Sequence, residues 1–199
     1  MVRDVRGDGS CGYRAVLFGA LERNWERTVD HLPIATLPWL PRRRPMHLAN
    51  FWAQHDGPLC RVARDVAATG IRASNDDLAW AGDPNDAGTE AGRSLADAMH
   101  PTGWMDEVAM HALAARLGVR IAILYDDGTT LHVPLFDNGS PQPSVAVCLL
   151  PGNAARPTEN AGHYMLAYPG RINDRGHVHL DASCRTTTIN ARTDTTDVT

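Results

Sequence analysis

The sequence predicts an α+β fold in which helices pack on a small, mostly antiparallel sheet. Helical spacing of apolar residues dominates the chain up to Gly118, and short apolar segments separated by turn residues dominate the part that follows. Helices grouped before strands favour α+β over an alternating α/β arrangement. A length of 199 residues suits one domain around a single core.

The first predicted helix follows a polar, glycine-rich turn directly. Residues 11–23 (CGYRAVLFGALER) carry apolar residues at helical spacing, and Asp8 or Ser10 is expected to cap the helix. The proline-rich segment 28–45 is expected to be irregular. Two more helices are predicted in MHLANFWAQ and PLCRVARDVAATG, and Gly70 is expected to end the second one.

The later elements are marked by composition. Residues 74–92 are acidic and rich in Gly, Asn and Asp, so we expect a loop with one helical turn. The clearest helix is WMDEVAMHALAARLG, whose acidic start and basic end match the helix dipole and which stops at Gly118. Five strands are predicted, over 119–125, 130–136, 144–150, 163–168 and 176–181.

Charge and hydropathy limit the classes of function. The formal net charge of -4 argues against general nucleic-acid binding. No apolar run approaches the roughly 18 residues needed to span a membrane, and the N-terminus is too polar for a secretory signal. We therefore expect a monomeric protein of the cytoplasm, its own or a host cell's, with a domain over 1–182 and a disordered tail over 183–199.

Cysteine usage points to free thiols and to no metal or cofactor. The four cysteines are scattered too widely for a zinc site or a disulfide framework. Cys60 and Cys148 lie among apolar residues and are expected to be buried, whereas Cys11 lies in a polar turn. All 19 basic residues are arginine. This usage fits a GC-rich coding sequence, and it also leaves no side-chain amine for ubiquitin attachment.

The context of Cys11 suits a nucleophile. A thiol attacks a carbonyl as the thiolate, which a helix N-terminus favours. The preceding GDGS segment can turn backbone N–H groups inward to hold an oxyanion, and Gly7 and Gly9 permit the required backbone shapes. These local features leave two interpretations open, a structural thiol in a turn and a nucleophile.

A nucleophilic cysteine needs a histidine as its base. Of the nine histidines, His163 alone follows a polar, flexible approach (PTENAG) and opens an apolar strand (HYMLAY). A base at the edge of a strand is held rigidly and is still exposed. We therefore predict that His163 serves Cys11.

The segment GDGSCGYRA resembles the nucleophile motif of the ovarian-tumour (OTU) family of cysteine proteases, most of which are deubiquitinases. GWMDEVAMHALAARLGVRIAIL and VAVCLL…GHYMLAY resemble the family's middle and closing blocks, in the same order. The resemblance implies a papain-like OTU fold and ubiquitin or a ubiquitin-like protein as partner. It also implies roles for individual residues: Cys11 as nucleophile, His163 as general base, Asp8 in the active-site loop, backbone N–H groups of Gly9, Ser10 and Cys11 as oxyanion donors, and Trp104 beside the substrate channel.

The chain departs from the family pattern at Met165. Many members carry Asp or Asn there, two residues after the histidine, to orient the imidazole. Either Cys11 and His163 work as a dyad, or Asn160 or Asp181 orients the imidazole. In the acidic segment, Asp76 and Asp77 are candidates for binding the basic tail of ubiquitin, against the alternative of a solvated loop.

Other functions stay open at this point. An OTU-type protease of a virus that processes its own polyprotein would keep the fold and change the substrate, and a bacterial effector would act in a host cell. A ubiquitin-binding module without catalysis is favoured only by Met165 and disfavoured by the presence of Asp8, Cys11 and His163. A papain-like or cell-wall endopeptidase is disfavoured because no tryptophan follows Cys11 and no signal peptide is evident.

Overall fold

The computed structural model describes residues 2–3, 9–73, 76–125, 130–131, 144–150, 163–167, 171–172 and 178–179. It confirms the α+β class, with helices first and most of the sheet after them. The helices are α1 (Cys11–Arg23), α2 (Trp25–Asp30), α3 (Leu48–Ala73), α4 (Glu90–Met99) and α5 (Glu107–Leu117), with 3-10 turns at Ile34–Thr36 and Asp76–Ala81. The strands are β1 (Val2–Arg3), β2 (Arg120–Tyr125), β3 (Thr130–Leu131), β4 (Ser144–Leu150), β5 (His163–Ala167), β6 (Arg171–Ile172) and β7 (Val178–His179).

The main sheet has the strand order β1-β5-β4-β2-β3. Strands β2 and β4 are parallel, and the other described pairs of this sheet are antiparallel. The strand predicted over 176–181 is present as β7, which pairs with β6 in a separate two-stranded ribbon. At the edge of the sheet β5 pairs with β1, which is not among the five strands that the sequence predicted.

Helix α1 lies at the centre of the molecule. Every residue from Cys11 to Leu21 is buried, because the helix packs against β4 and β5 on one side and against α3 on the other. A helix enclosed in this way presents mostly apolar or small residues, and the one charged side chain of this stretch, Arg14, pairs with Asp56. The start of α1 is therefore fixed by two layers of structure at once.

Helix α3 joins two segments that the sequence had suggested were separate helices. It continues through Pro58 and past Gly70, the predicted stop, to Ala73. A proline inside a helix costs about 3 kcal/mol, and Gly57 before it relieves the clash that a Cβ would make with the ring. The buried face on both sides of Pro58 offsets the remaining cost. Gly70 is needed for close packing, since a Cβ there would lie 3.0 Å from the Cβ of Ala112 on α5.

Helix α4 was not predicted, since its buried face consists of small residues. Ala91, Gly92, Ser94 and Ala98 pack inward, and a stripe of such residues gives no apolar periodicity. The N-cap is Thr89, whose hydroxyl accepts the Gly92 N–H at 3.0 Å. The acidic, glycine-rich segment that ends at Thr89 was therefore predicted as a loop, although α4 begins at its end.

Helix α5 confirms its prediction closely. Asp106 caps it by accepting the Ala109 N–H at 2.9 Å, and Gly118 ends it with φ of 60°. No described helix combines the length and the apolar character needed to cross a bilayer. The predicted tail 183–199 and most of the predicted strand 130–136 lie outside the described residues.

Candidate active site

Cys11 is the first residue of α1, as the sequence predicted, and its side chain is buried. Ser10 is the N-cap, and its carbonyl accepts the Arg14 N–H at 3.0 Å to begin the helical bonds. Ser10, one of the two predicted caps, thus holds the N-cap position, although its side chain makes no capping hydrogen bond. Its hydroxyl instead donates to the Pro101 carbonyl at 3.2 Å, away from the first-turn amides.

Gly9 and Ser10 form the described part of the nucleophile loop, and they rest on residues 97–103, the last residues of α4 and the turn after it, which we call the connector. Gly9 has φ of 81°, and a Cβ there would overlap the Thr102 carbonyl. Gly103 is also needed for a close approach, because a Cβ on it would overlap the Asp97 carbonyl. The backbone of the connector therefore sets the shape of the nucleophile loop by direct contact.

Arg64 of α3 also reaches the nucleophile loop, and sequence reasoning did not single it out. Its guanidinium donates to the Ser10 hydroxyl at 2.7 Å and to the Gly103 carbonyl at 2.6 Å. A signal was present in the sequence, because Cys60 and Ala67, four residues before and three after Arg64, mark the apolar face of the helix. A charged residue on such a face needs a polar partner inside the protein.

A second buried arginine ties α1 to α3. Arg14 Nε lies 2.6 Å from Asp56 Oδ1, with 3% of the Arg14 side chain exposed. The neighbouring Tyr13 is also fully buried. Burial raises the pKa of the Tyr13 phenol well above its ordinary value, and the positive charge of Arg64 offsets this only in part. Tyr13 therefore stays neutral and contributes no charge beside Cys11.

His163 is the first residue of β5, and its backbone pairs with Leu150 at the end of β4. Strand β1 runs antiparallel to β5, with Val2 opposite Ala167 and Arg3 opposite Leu166. Helix α1 then packs on β5 and β4. The topology thus brings the segment of Cys11 against the strand that His163 opens.

The predicted substrate-binding residues fall into two places. Trp104 is half-buried against the core, directly after Gly103 and hence at the end of the connector. Asp76 and Asp77 lie in the 3-10 turn Asp76–Ala81, which packs on α4 and α5. Trp104 therefore directly follows the connector in the chain, and the acidic pair lies on a different element.

The rest of the acidic segment has a structural task. Asp83 Oδ1 accepts the Asn85 N–H at 2.8 Å, and Asp86 Oδ1 accepts the Gly88 N–H at 2.8 Å. The Thr89 hydroxyl is within 2.7 Å of the backbone oxygens of both aspartates. These contacts shape the turn that starts α4, as Asx turns commonly do.

Asp8, Asn160 and Asp181 lie outside the described residues, so their predicted roles stay predictions. Within the ranges that the structure describes, no three His, Cys, Asp or Glu side chains come together as a candidate metal site. The described polar groups near Cys11 include the Ser10 hydroxyl, the Arg64 guanidinium and the Gly103 carbonyl. These groups can position a loop.

Replacing Gly9 by alanine is expected to lower the free energy of unfolding by at least 1–3 kcal/mol, about the cost of holding a non-glycine residue at positive φ. The overlap with Thr102 adds to this cost. Chemical denaturation monitored by circular dichroism measures it. Gly57→Ala is the control, and it should cost less than Gly9→Ala, because its added carbon meets only the ring of the adjacent Pro58 and no other described segment lies within 4 Å. Equal stability of the two variants would contradict the contact.

Comparison with known proteins relates this chain to others only through its fold. No protein-family model matches the sequence, and no curated protein sequence matches it. Solved structures do match. The complex "h/ceOTUB1-ubiquitin aldehyde-UBC13~Ub" superposes with a TM-score of 0.55 at 19% identity, over 84% of this chain and 76% of that chain. The complex of "ceOTUB1 ubiquitin aldehyde UBC13~Ub" gives 0.51 at 19% identity, over 84% of this chain and 78% of that chain.

A third complex, "h/ceOTUB1-ubiquitin aldehyde-UBCH5B~Ub", gives a TM-score of 0.52 at 18% identity, over 84% of this chain and 75% of that chain. At sequence identities of 18–19%, the superposition shows a shared backbone fold and does not show a shared activity. The α+β fold that the sequence predicted, with α1 central and β5 beside it, is therefore the fold of the OTUB1 structures.

Proposed function

We propose that this protein is an OTU-type cysteine protease that detaches ubiquitin, or a ubiquitin-like modifier, from other proteins. The observation that carries the proposal is Cys11 at the first position of α1, packed on the strand that begins with His163. A thiol at a helix N-terminus and a base held at a strand end are the parts that thiol catalysis requires. The fold is shared with OTUB1 proteins solved in complex with ubiquitin aldehyde, and this likeness supports the same substrate class.

The proposed reaction is acyl transfer through a thioester. The Cys11 thiolate attacks the carbonyl carbon after the C-terminal glycine of the modifier, and His163 takes the thiol proton. Backbone N–H groups of Gly9, Ser10 and Cys11 hold the oxyanion. When the intermediate collapses, the C–N bond breaks and His163 gives the proton to the leaving amine. Water then hydrolyses the thioester and regenerates the thiol.

Substrate recognition is assigned to the surfaces around this loop. Trp104 lies at the end of the connector, where it can pack against the glycine-rich tail of the modifier. Asp76 and Asp77 supply negative charge for the basic residues of that tail, at longer range. This division agrees with the half-buried position of Trp104 and with an acidic segment on a separate element.

In the proposed mechanism, His163 acts as the base although the residue two positions after it is not a carboxylate. Met165 stands at that position in β5, opposite Cys148 of β4. We therefore assign the catalysis to a Cys11–His163 dyad. Loss of an orienting group lowers the rate of such enzymes without removing catalysis.

The site of action is a cytoplasm, of the protein's own cell or of a host. Cys11 and Cys60, the cysteines whose side chains are described, are not joined in a disulfide. A reducing compartment keeps a catalytic thiol in this state. The protein acts there as a monomer on a ubiquitin-type partner, without nucleic acid or membrane.

The test is covalent capture by a ubiquitin whose C-terminus carries a thiol-reactive electrophile. The expected result is a single adduct whose tryptic peptide contains Cys11, with Cys60 unmodified. Denatured protein is the control, and there both thiols should remain unmodified because ubiquitin recognition is lost. An adduct on Cys60 instead, or none at all, would contradict the proposed enzyme. If ubiquitin still bound without an adduct, the protein would be a non-catalytic ubiquitin-binding module.

A further inference from the structure

Arg64 is a buried cation with uncharged partners. Its side chain is 5% exposed on α3. Among the described residues no carboxylate lies within 4.0 Å of its guanidinium, in contrast to Arg14, which pairs with Asp56. Burying an unpaired charge is costly, and an apolar side chain would serve the packing of α3 better. The position therefore needs an explanation beyond stability.

The N–H groups of Arg64 bind the nucleophile loop and the connector at once. Nε and one terminal nitrogen donate to the Ser10 hydroxyl at 3.1 and 2.7 Å, and that terminal nitrogen also donates to the Gly103 carbonyl at 2.6 Å. The other terminal nitrogen donates to the Asp97 carbonyl at 3.0 Å. Since the Ser10 hydroxyl itself donates to Pro101, its hydrogen-bonding capacity is filled by these contacts.

A second contact lies on the other side of Cys11. The Arg64 guanidinium carbon is 4.4 Å from the centroid of the Tyr13 ring, a cation–π contact with a fully buried ring. The Tyr13 hydroxyl has no hydrogen-bond partner among the described residues. Tyr13 therefore interacts with Arg64 through the face of its ring. Arg64 therefore contacts the residue directly before Cys11, which is Ser10, and the residue two positions after it, which is Tyr13.

We infer that Arg64 is the positioning residue of the nucleophile loop. It touches neither substrate nor reacting atoms, but it fixes the peptide groups of Gly9, Ser10 and Cys11 in the orientation that holds the oxyanion. The planar fork is essential, because two N–H groups converge on one hydroxyl while others reach the connector, a geometry that an ammonium cannot reproduce. This inference rests on the proposed function.

The test compares Arg64→Lys and Arg64→Met with Arg61→Lys and Arg61→Met, which alter an exposed arginine on the same helix. Turnover is measured on ubiquitin with a fluorogenic C-terminal amide. We expect Arg64→Lys to lower kcat by about 10²-fold, the scale of a misplaced oxyanion donor, with KM changed less than about threefold. The Arg61 variants should retain wild-type kcat and KM.

Ubiquitin aldehyde separates positioning from folding. Its adduct with a thiol carries the tetrahedral oxygen, whereas ubiquitin with an ordinary C-terminus does not. We expect Arg64→Lys to raise the Kd for ubiquitin aldehyde by about the same factor by which it lowers kcat. The Kd for ordinary ubiquitin should equal that of the wild type. A merely structural role would weaken both ligands in parallel with the unfolded fraction, and that result would overturn the inference.

Ser10→Ala keeps the inference testable if the Arg64 variants fold poorly, because it removes the shared hydroxyl and leaves the arginine in place. We expect the same split between kcat and KM, and a double variant no worse than the more impaired single one, since both changes break one contact. Unchanged kcat in well-folded Arg64→Lys and Ser10→Ala proteins would overturn the inference alone. A wild-type protein that neither cleaves nor captures ubiquitin would overturn the proposed function, and this inference with it.

Discussion

Cys11→Ala is expected to reduce hydrolysis of ubiquitin with a fluorogenic C-terminal amide by about 10⁴-fold or more, to the level of the assay blank. The reason is that the thiolate forms the covalent intermediate, and the remaining oxyanion donors and binding surface supply only residual catalysis. The change removes a single sulfur atom from a buried position at the start of α1. We therefore expect the unfolding free energy to fall by only about 1 kcal/mol.

Cys60→Ala is the control for Cys11→Ala. Cys60 is also a buried free thiol, and its contact with the Ser10 carbonyl, at 3.9 Å, is too long to hold the loop. This variant should keep turnover within about threefold of the wild type, a change within the ordinary range for a minor packing loss. Retained turnover in Cys11→Ala, or equal loss in both variants, would contradict the assignment of the nucleophile.

His163→Ala is expected to lower kcat by about 10²- to 10⁴-fold, the usual contribution of general acid–base catalysis. The base both removes the thiol proton and protonates the leaving amine, so its loss affects each half of the reaction. Added imidazole should restore part of the turnover of this variant, because a small base can enter the space that the side chain leaves. His47→Ala, at an exposed position just before α3, is the control and should retain full activity.

The same assay tests the dyad. If Met165 leaves His163 without an orienting carboxylate, Asn160→Ala and Asp181→Ala should each leave turnover nearly unchanged. A loss of about 10²-fold in one of them would identify the missing orienting group and contradict the dyad. A His163→Ala variant as active as the wild type would contradict the general base itself.

The elements that the sequence predicted well are those whose signals are local. Helix α5 has a capping aspartate and a terminal glycine within its own segment, and strand β4 was predicted with the bounds it has. The continuous α3 could not be predicted, since burial on both sides of Pro58 is a tertiary effect that outweighs the local penalty. The fifth strand of the sheet escaped prediction because two residues at the N-terminus pair with a strand some 160 residues away.

The candidate site divides in the same way. Cys11, Gly9 and Ser10 lie in one short segment, so the loop and its chemistry could be read together from the sequence. Arg64 lies 54 residues from Ser10 and could not be paired with it without the structure. The connector was harder still, because it contributes backbone carbonyls, which every residue possesses and no sequence pattern marks.

The connector has a consequence for how the chain can vary in length. Surface loops commonly accept insertions, because they bear few contacts that depend on length. Residues 97–103 differ, since carbonyls of Asp97, Pro101, Thr102 and Gly103 each meet Arg64, Ser10, or the place where Gly9 lacks a side chain. One added residue would shift those carbonyls out of phase with the loop they support. Affinity tags, permuted termini and inserted reporter domains therefore belong elsewhere, such as the exposed arginine turn at 42–44.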